Sequence, residues 1–375
     1  MEKRSSSVEK MVANMLFWKN KRVFLTGHTG FKGAWLSYIL TGAEAELTGY
    51  ALSPPTEPSL FDICQLSKKM KSVIGDIRDR EALYMAFEEC HPEIVIHMAA
   101  QPLVRESYSE PAYTYETNVM GTVNILECVR QFDTVKSFLN VTTDKVYHNY
   151  EWEWGYREID VLGGFDPYSN SKACSELVTQ SYLDSFFKDR GVAVSTARSG
   201  NVIGGGDFAK DRIIPDAIRS IEKNEKIFVR RPNSIRPYQH VLEPLFAYLL
   251  IAQKQYVNRD FAGCYNIGPD DEDCVTTCTL VDLFCRHWGE GCVWESGNSA
   301  GPHEAGFLKL DSSKMKSALN WKPTINIETA IVKTVEWTRA LFQNGDVKAV
   351  MDSQIEKYSM NFSKKSDMVM ISDRK

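Results

Sequence analysis

The sequence predicts an α/β protein with a doubly wound parallel sheet, and three observations support this fold class. Short β-rich segments alternate with helical segments through the first half of the chain, an order typical of parallel sheets. A glycine-rich segment, Thr26-Gly-His-Thr-Gly-Phe-Lys-Gly33, follows the first of these strands and precedes a helix. The chain of 375 residues is long enough for one large domain, or two closely packed ones, with a substantial core.

Each element is predicted from its local pattern. Lys21–Thr26 is a β-rich strand that ends at the glycines, and Trp35–Leu40 continues as a helix with one apolar face. Pro54 and Pro55 end the second strand. The remaining strands are predicted over Glu46–Leu52, Lys71–Asp76, Ile94–Met98, Ser137–Thr142 and Val192–Ala197, and the remaining helices over Arg80–Cys90, Thr114–Gln131 and Tyr168–Lys188.

The alternation of strands and helices ends near Gly200, which suggests a domain organisation. Residues 1–17 are predicted to be an N-terminal extension and 18–200 a dinucleotide-binding domain. Residues 201–345 are predicted to form a smaller mixed region that binds the substrate, with some segments returning to the first domain. Residues 346–375 are expected to be a polar, partly mobile tail. Because ligands bind at the carboxyl edge of such sheets, the second region is expected to close over that edge.

Composition argues against several classes of protein. The formal net charge of −5 does not favour non-specific binding to nucleic acid, which needs a basic face. No apolar run approaches the roughly 20 residues of a membrane span, and no signal peptide is recognisable, so a cytoplasmic location is predicted. Most of the nine cysteines are isolated, and only Cys274 and Cys278 approach the spacing of zinc ligands. Reduced thiols and no metal are therefore expected.

The glycine-rich segment predicts a site for the phosphates of a dinucleotide. Gly27, Gly30 and Gly33 are three residues apart, and such glycines permit a tight turn and a close backbone approach to a pyrophosphate. The N-terminus of the following helix offers its amides to the same phosphates. His28 and Lys32 can add positive charge, which leaves NADP open as an alternative to NAD.

The acidic residue that usually binds the adenosine ribose of NAD is absent from the second strand, which ends Tyr50-Ala-Leu-Ser53. Asp76 follows the third strand and is expected at the adenine end of the cofactor. The alternative role of Asp76 is to cap the helix over Arg80–Cys90.

Tyr168 and Lys172 are four residues apart in a predicted helix and therefore share one face. A nearby ammonium group favours the phenolate form of tyrosine, which lowers its pKa and makes it a usable base. Together with the glycine loop, this pair predicts a nicotinamide-dependent enzyme that acts on an alcohol carbon.

These segments resemble the extended short-chain dehydrogenases/reductases, a family with a Rossmann fold, over about residues 17–340. The resemblance is greatest to the branch of sugar-nucleotide 4,6-dehydratases that act on CDP-D-glucose. The segments that carry it are residues 26–33, 97–105, 117–122, 143–147, 168–172, 200–207 and 235–244. The Tyr-x-x-x-Lys pattern alone specifies only the superfamily. His28, Lys32, Lys145 and the Arg236-Pro-Tyr-Gln-His240 segment are more specific.

The resemblance implies a three-stage reaction on CDP-D-glucose with bound NAD: oxidation at C4, elimination of water across C5 and C6, and hydride return to C6. Tyr168, helped by Lys172, is expected to take the proton of the C4 hydroxyl. Thr143 is expected to hydrogen-bond O4, and Asp144 to protonate the departing C6 hydroxyl. Lys145 stands where related dehydratases carry a glutamate.

Lys145 is accordingly expected to take the C5 proton or to stabilise the enolate, because a desolvated lysine can be basic near pH 7. The alternative is a structural ion pair with a carboxylate such as Glu158.

Further site residues are implied by the same resemblance. Asn118 is expected to order the site rather than to react, and His97 is expected to be a core histidine. The cofactor contacts are expected to be Gly27, His28, Thr29, Gly30, Phe31, Lys32, Gly33, Asp76, Ile77, Ala99, Ala100, Asn118, Thr142, Tyr168 and Lys172. The substrate contacts are expected to be Gln101, Asn201, Arg212, Arg236 and His303. A homodimer or a dimer of dimers, formed through the helices over Thr114–Gln131 and Tyr168–Lys188, is also implied.

Three alternatives remain at this point. A nucleotide-sugar epimerase shares the tyrosine, the lysine and NAD, but it does not need the acid of the Thr143-Asp144-Lys145 triplet. A dehydratase for GDP-mannose or dTDP-glucose is expected to carry glutamate in place of Lys145. An NAD-binding sensor without activity does not need this set of reactive residues.

Overall fold

The computed structural model describes residues 15–289, 291–297 and 305–372, with side chains described as far as Met360. Its centre is a parallel sheet of seven strands, which confirms the predicted fold class. In chain order these strands are β1 Arg22–Thr26, β2 Glu46–Ala51, β3 Lys71–Ile74, β4 Ile94–His97, β5 Ser137–Val141, β6 Ala193–Ser199 and β11 Cys264–Ile267. Across the sheet they run in the order β11-β6-β5-β4-β1-β2-β3.

Three pairs of short strands lie in the second half of the chain. They are β7 Val202–Ile203 with β10 Gln239–His240, β8 Ile227–Val229 with β13 Trp294–Ser296, and β9 Ile235–Arg236 with β12 Val275–Thr276. These segments follow β6 and surround the carboxyl ends of the central strands.

Helices connect the strands. They are α1 Phe31–Gly42, α2 Leu60–Ile63, α3 Arg80–Cys90, α4 Val104–Ser109, α5 Pro111–Tyr115, α6 Gly121–Gln131, α7 Pro167–Tyr182, α8 Ile213–Glu222, α9 Leu242–Val257, α10 Thr277–Trp288, α11 Ser313–Leu319, α12 Ile327–Phe342 and α13 Val347–Ser372. The helix predicted over Thr114–Gln131 is interrupted by a π-helical turn at Glu116–Met120, and a second such turn at Leu183–Phe187 extends α7. The Asp166 carboxylate caps α7 by accepting a hydrogen bond from the Ser169 amide at 2.9 Å.

The largest of three hydrophobic clusters among the described residues joins the two halves of the chain. This cluster of buried side chains extends from Trp18 to Tyr358 and includes residues of the sheet, of α9 and of α12. Because both halves contribute to this cluster, the second half packs directly against the sheet and holds the turns around its carboxyl edge.

The segment predicted to be a polar tail, residues 346–375, is helical in its described part and is attached to the core. This segment forms α13, and the side chains of Val347, Met351 and Tyr358 are buried. The Tyr358 hydroxyl donates a hydrogen bond to the buried Glu243 carboxylate at 2.9 Å. The apolar and aromatic residues of the segment therefore attach it to the core, although most of its sequence is polar.

No helix within the described ranges is both long and apolar enough to cross a membrane. All nine cysteines lie in the described part of the chain, and none forms a disulfide. The Sγ atoms of Cys285 and Cys292 lie 2.9 Å apart, next to the Trp288 end of α10. The same part of the chain contains no group of three or more side chains arranged as metal ligands.

Candidate active site

The glycine loop between β1 and α1 has the geometry of a phosphate-binding turn. Gly27 has a φ of +77°, and a Cβ atom there would lie 2.8 Å from the amide nitrogen of Ala99. A Cβ atom at Gly33 would lie 2.0 Å from the Gly27 carbonyl oxygen, so both positions require glycine. The loop therefore packs against the end of β4 and leaves the N-terminus of α1 to bind an anion.

His28 does not supply the positive charge expected of it. The side chain is buried, its Nε2 lies 2.7 Å from the Ser72 hydroxyl, and its ring packs edge-on against Phe61. Burial lowers the pKa of His28 to about 4, so the imidazole is neutral at physiological pH. His28 thus gives no electrostatic preference for the 2′-phosphate of NADP.

Lys32 lies in the catalytic part of the site. Its Nζ is 5.8 Å from the centre of the Tyr248 ring, and the side chain lines the main cavity. Burial, together with the nearby charges of Arg212 and Lys172, lowers the pKa of Lys32 to about 7. The location of Lys32 also removes the argument for NADP that rested on its charge.

The remaining parts of the expected cofactor site lie around this loop. Thr29 donates a hydrogen bond to the Leu52 carbonyl at 2.8 Å, and the Ala99 amide donates one to the Thr26 hydroxyl at 3.0 Å. Ile77 is buried and packs close to Gly121. Phe31 is the first residue of α1, and its ring lies close to Gly204. Ala100 follows the end of β4.

Asp76 does not cap the following helix, which was its alternative role. The cap of α3 is Asp79, which accepts a hydrogen bond from the Ala82 amide at 3.1 Å. The Asp76 carboxylate instead binds the Arg78 guanidinium, with Nη2 to Oδ2 at 2.7 Å, and this interaction lowers the pKa of Asp76.

Tyr168 lies in the first turn of α7 and lines the main cavity, next to Thr143. The expectation that its pKa is lowered is wrong for this structure: burial raises the pKa of Tyr168 to about 12. A hydrogen bond with the Thr143 hydroxyl and the charge of Arg212 act in the opposite direction but are outweighed. The burial of the Tyr168 hydroxyl could not be predicted from the sequence, which showed only that the Lys172 ammonium group is four residues away.

Lys172 is buried below Tyr168. Its Nζ donates a hydrogen bond to the Val141 carbonyl at the end of β5, at 2.9 Å. Burial lowers the pKa of Lys172 to about 8, and the Glu176 carboxylate raises it. The ammonium form is therefore retained at neutral pH.

Thr143, Asp144 and Lys145 lie at the carboxyl end of β5. The Thr143 hydroxyl donates a hydrogen bond to Asp144 Oδ1 at 2.9 Å, and Lys145 Nζ lies 3.3 Å from the same oxygen. Asp144 is fully buried, and its Oδ2 has no hydrogen-bond partner among the described residues. The ion pair of Lys145 is thus with Asp144, while the Glu158 carboxylate accepts a hydrogen bond from the Asn266 amide.

The main cavity has a volume of about 1170 Å³ and joins these groups to the second half of the chain. Asn201, Arg212 and Arg236 line it, as was expected of substrate contacts. Arg212 pairs with Asp207 at 2.9 Å. Arg236 is buried and donates to the carbonyls of Ile235, at 2.9 Å, and of Ala305.

The expectation for Gln101 is not supported. Its side chain does not line the cavity. The amide group of this side chain instead makes hydrogen bonds with the Leu103 backbone and, at 2.9 Å, with the Thr114 hydroxyl. Asn118 has the ordering role expected of it, since its amide bonds both backbone groups of Gln101 and the Ser171 hydroxyl. His303 lies outside the described residues.

Sequence reasoning missed several charged groups at this site. Arg105 and Arg230 both pair with Asp211, at 3.6 and 2.7 Å, and all three line the cavity. Glu176 lies below Lys172. Glu176 could have been found from the sequence, because it follows Lys172 by four residues. The Arg105–Asp211 contact joins distant segments of the chain and therefore has no local sequence signal. His97 is a core histidine as expected, bound to the Thr26 hydroxyl at 2.8 Å.

The parallel sheet, the glycine loop and the adjacent Tyr168 and Lys172 together define a short-chain dehydrogenase/reductase of the extended type. The sequence profile of the family described as GDP-mannose 4,6 dehydratase matches residues 24–334. The chain belongs to this family of sugar-nucleotide dehydratases, and the predictions of the family and of a hydro-lyase are confirmed.

Two relatives illustrate the relationship. A CDP-glucose 4,6-dehydratase of Salmonella typhimurium is 50% identical over 348 residues, which cover 91% of this chain and 97% of that protein. A dTDP-D-glucose 4,6-dehydratase of Mus musculus is 29% identical over 336 residues, which cover 86% of this chain and 90% of that protein.

Solved structures with the same fold include two sugar-nucleotide enzymes. The dTDP-glucose 4,6-dehydratase of Bacillus anthracis in complex with NAD aligns with a TM-score of 0.72 and 22% identity, covering 88% of this chain and 99% of that one. The UDP-glucuronic acid 4-epimerase of Bacillus cereus in complex with UDP-glucuronic acid and NAD aligns with a TM-score of 0.74 and 17% identity, covering 85% and 99%. At these identities the similarity supports the fold alone.

Proposed function

We propose that this chain is a CDP-D-glucose 4,6-dehydratase that uses NAD, and that it converts CDP-D-glucose to CDP-4-keto-6-deoxy-D-glucose and water. The observation that carries the proposal is that Lys145 and Tyr168 line one cavity, while Lys145 forms an ion pair with Asp144, which is fully buried beside it. An acid and a base are both needed to eliminate water from a sugar. The name and the 50% identity of the Salmonella relative support CDP-D-glucose as the substrate.

NAD would be held by the loop of Gly27, Gly30 and Gly33, whose close packing against β4 suits a pyrophosphate. When bound, NAD⁺ supplies a hydride acceptor for C4 and later a hydride donor for C6. We assign residues 18–200 mainly to the cofactor and residues 201–345 mainly to the nucleotide sugar.

In the first stage Tyr168 accepts the proton of the C4 hydroxyl. Its raised pKa means that the phenolate forms only with help from neighbouring positive charge. Arg212 supplies such charge, and we infer that Lys172, one turn along α7, supplies more. The Thr143 hydroxyl orients the reacting oxygen.

In the second stage the 4-ketone acidifies the C5 hydrogen, and water leaves across C5 and C6. Asp144 gives a proton to the departing C6 hydroxyl from Oδ2, which has no hydrogen-bond partner among the described residues. Because this carboxyl is fully buried and does not line the cavity, its side chain must turn toward the substrate to do so. Lys145 takes the C5 proton from its position 3.3 Å from Asp144 Oδ1. For this step the proton of the ion pair first passes from Lys145 to Asp144, which gives a neutral amine and a carboxylic acid. Transfer of the C5 proton to Lys145 and of the Asp144 proton to the leaving hydroxyl then restores the ion pair.

The nucleotide end would be bound by Arg236 and Arg212, because guanidinium groups suit the oxygens of a diphosphate. Asn201 lines this cavity, and its buried side-chain oxygen, Oδ1, has no hydrogen-bond partner among the described residues. That oxygen would accept a hydrogen bond from a sugar hydroxyl.

The test is mass spectrometry of CDP-D-glucose incubated with the purified protein and NAD⁺, with UDP-glucose, dTDP-glucose and GDP-mannose run in parallel. We expect loss of one water from CDP-D-glucose alone, without net formation of NADH. Formation of an isomer of the same mass would indicate an epimerase. Dehydration of another substrate would change the assigned nucleotide, and no reaction with any of them would indicate a binding protein.

We also propose a homodimer, or a dimer of dimers, in the cytoplasm. Leu177 and Phe186, on α7 and the turn that extends it, are exposed apolar side chains suited to a helical interface. The nine unpaired cysteines are consistent with a reducing compartment. Light scattering should give at least twice the mass of one chain, and Leu177→Glu should yield monomers. Val257→Glu, an equally exposed change at the end of α9, is the control.

A further inference from the structure

A buried carboxylate lies one helical turn beyond Lys172. Tyr168, Lys172 and Glu176 are successively four residues apart on α7, so the three side chains follow one another along one face. Glu176 is 3% exposed, and the hydroxyls of Thr142 and Thr196 donate hydrogen bonds to its two oxygens at 2.5 and 2.6 Å. This carboxylate is therefore fixed in position from two strands of the sheet.

Arg198 holds the same carboxylate from β6. Its Nε and Nη2 donate to the two oxygens of Glu176 at 3.0 and 2.9 Å, a bidentate geometry. Its remaining nitrogen, Nη1, donates to the Tyr147 hydroxyl at 2.8 Å and to the Glu158 carbonyl at 3.2 Å. The Tyr147 hydroxyl in turn donates to Asn266 at 2.7 Å. All the polar atoms of this buried pair are thus bonded.

A buried ion pair is weak evidence for stability, because desolvation of the two charges offsets their attraction. The position of this pair suggests another role. Lys172 is buried in its ammonium form with a neutral carbonyl, that of Val141, as its hydrogen-bond acceptor. A buried cation needs a nearby anion, and among the described groups the Glu176 carboxylate supports its charge.

We propose that Glu176 is a positioning residue for the dehydratase reaction: it keeps Lys172 protonated and directed at Tyr168, and Arg198 keeps Glu176 in place. The inference rests on the proposed function, since it concerns the tyrosine and lysine of that reaction. Glu176 itself does not line the substrate cavity, so it acts on the reaction through its neighbours, of which Lys172 is the one assigned to the chemistry.

Other titratable groups face this part of the site from neighbouring elements. Burial lowers the pKa of Lys32 on α1 and of His97 on β4, and the charge of Lys172 lowers both further. With a pKa of about 3, His97 is neutral. The charges of Asp144 and Arg212 shift the pKa values of Tyr168 and Lys32. Of these groups, Glu176 is the one whose charge raises the pKa of Lys172.

The experiment compares the pH dependence of kcat/KM for the wild-type holoenzyme and Glu176→Gln with CDP-D-glucose. Removal of the anion lowers the pKa of Lys172, so the loss of activity on the alkaline side should begin about one pH unit lower. At pH 8 this shift corresponds to an approximately fivefold lower rate, and well above pH 8 to an approximately tenfold lower one. Glu176→Asp keeps the charge and should restore most of the wild-type profile.

The matched control is Glu243→Gln. Glu243 is equally buried, but it is satisfied by Thr324, Ile325 and Tyr358, far along the chain from Lys172. Its loss should lower the melting temperature without moving the pH profile. An unchanged alkaline limb in Glu176→Gln, with reduced stability alone, would overturn the proposal.

If Glu176→Gln does not fold, the double variant Glu176→Gln with Arg198→Gln removes both charges and leaves no guanidinium unpaired. It should show a shift in the same direction but a smaller one, because loss of the Arg198 charge partly offsets loss of the Glu176 charge. The inference is also tested without substrate, by ¹³C-lysine NMR in which the Lys172 signal is identified by its absence in Lys172→Met. A lower titration midpoint of that signal in the variant supports the proposal, and an unchanged midpoint contradicts it. If the wild type does not dehydrate CDP-D-glucose, the proposed function fails, whereas the NMR result stands by itself.

Discussion

The two halves of the chain each contribute a wall of the cavity, and the two walls are built differently. The wall from the first half carries the groups assigned to the reaction, and each is attached to a sheet strand or to α7 by buried hydrogen bonds, as Lys172 is to Val141. The wall from the second half carries Arg212 and Arg236 on turns and two-residue strands. Proton transfer needs fixed distances, whereas a flexible diphosphate can be bound by groups that adjust to it. Changes in the first wall should therefore reduce kcat, and changes in the second should weaken binding or stability.

The largest effect is expected from Tyr168→Phe in the first wall. Loss of the hydroxyl removes the acceptor for the C4 proton, so kcat should fall about 10³-fold, within the usual range for a general base. Binding of CDP-D-glucose, measured by calorimetry, should change little because the ring remains. A variant that keeps more than a tenth of the wild-type kcat would show that another group takes this proton.

Lys145→Met separates the two chemical stages on the same wall. C4 oxidation should continue while elimination slows about 10²-fold, because the base for C5 is lost. Rapid-quench mass spectrometry should then detect a 4-keto sugar nucleotide two mass units lighter than the substrate, with NADH absorbance rising. Elimination at the wild-type rate would assign the C5 proton to a different group.

Arg236→Gln tests the second wall. Arg236 has no carboxylate within ion-pair distance in the described ranges, so its charge is available for the diphosphate. We expect KM for CDP-D-glucose to rise about tenfold with kcat nearly unchanged, as for loss of one hydrogen bond to a charged group. Arg259→Gln, a change distant from the cavity, is the control. A fall in kcat without a change in KM would contradict the division between the walls.

The smallest effect is expected from Tyr358→Phe, which leaves the cavity untouched. It removes the 2.9 Å hydrogen bond to buried Glu243 and should lower the free energy of unfolding by about 1–2 kcal/mol. Denaturant titration measures this loss, and kcat and KM should stay at wild-type values. Altered kinetics would mean that α13 influences the cavity.

Most of the first half could be predicted from the sequence because its signals are local. Helix α3 begins and ends where predicted, and the spacing of Tyr168 and Lys172 identified their shared face. The second half gave no such signal: β11 has only four residues, and it joins the sheet through pairing with β6, far away in sequence. Helix α9 lacks a clear polar face because it is buried along most of its length.

Within the site, residue types were predicted better than their electrostatics. The sequence identified Tyr168 and His28 as important, but burial determines their pKa values, and burial depends on contacts between distant segments. For the same reason the sequence did not show that the Gln101 side chain bonds Thr114, which belongs to a separate helix; its contact with the substrate stays a prediction.

The pairing of β11 with β6 has a consequence for how the protein is made. Every residue of β6 is buried in the finished protein, and residues 200–263 must be synthesised before β11 can cover its open edge. During translation this edge is a template for non-native strand pairing. The edge stays open until Cys264–Ile267 has left the ribosome, so we expect a chain that ends at the dinucleotide domain to aggregate more readily than the full one.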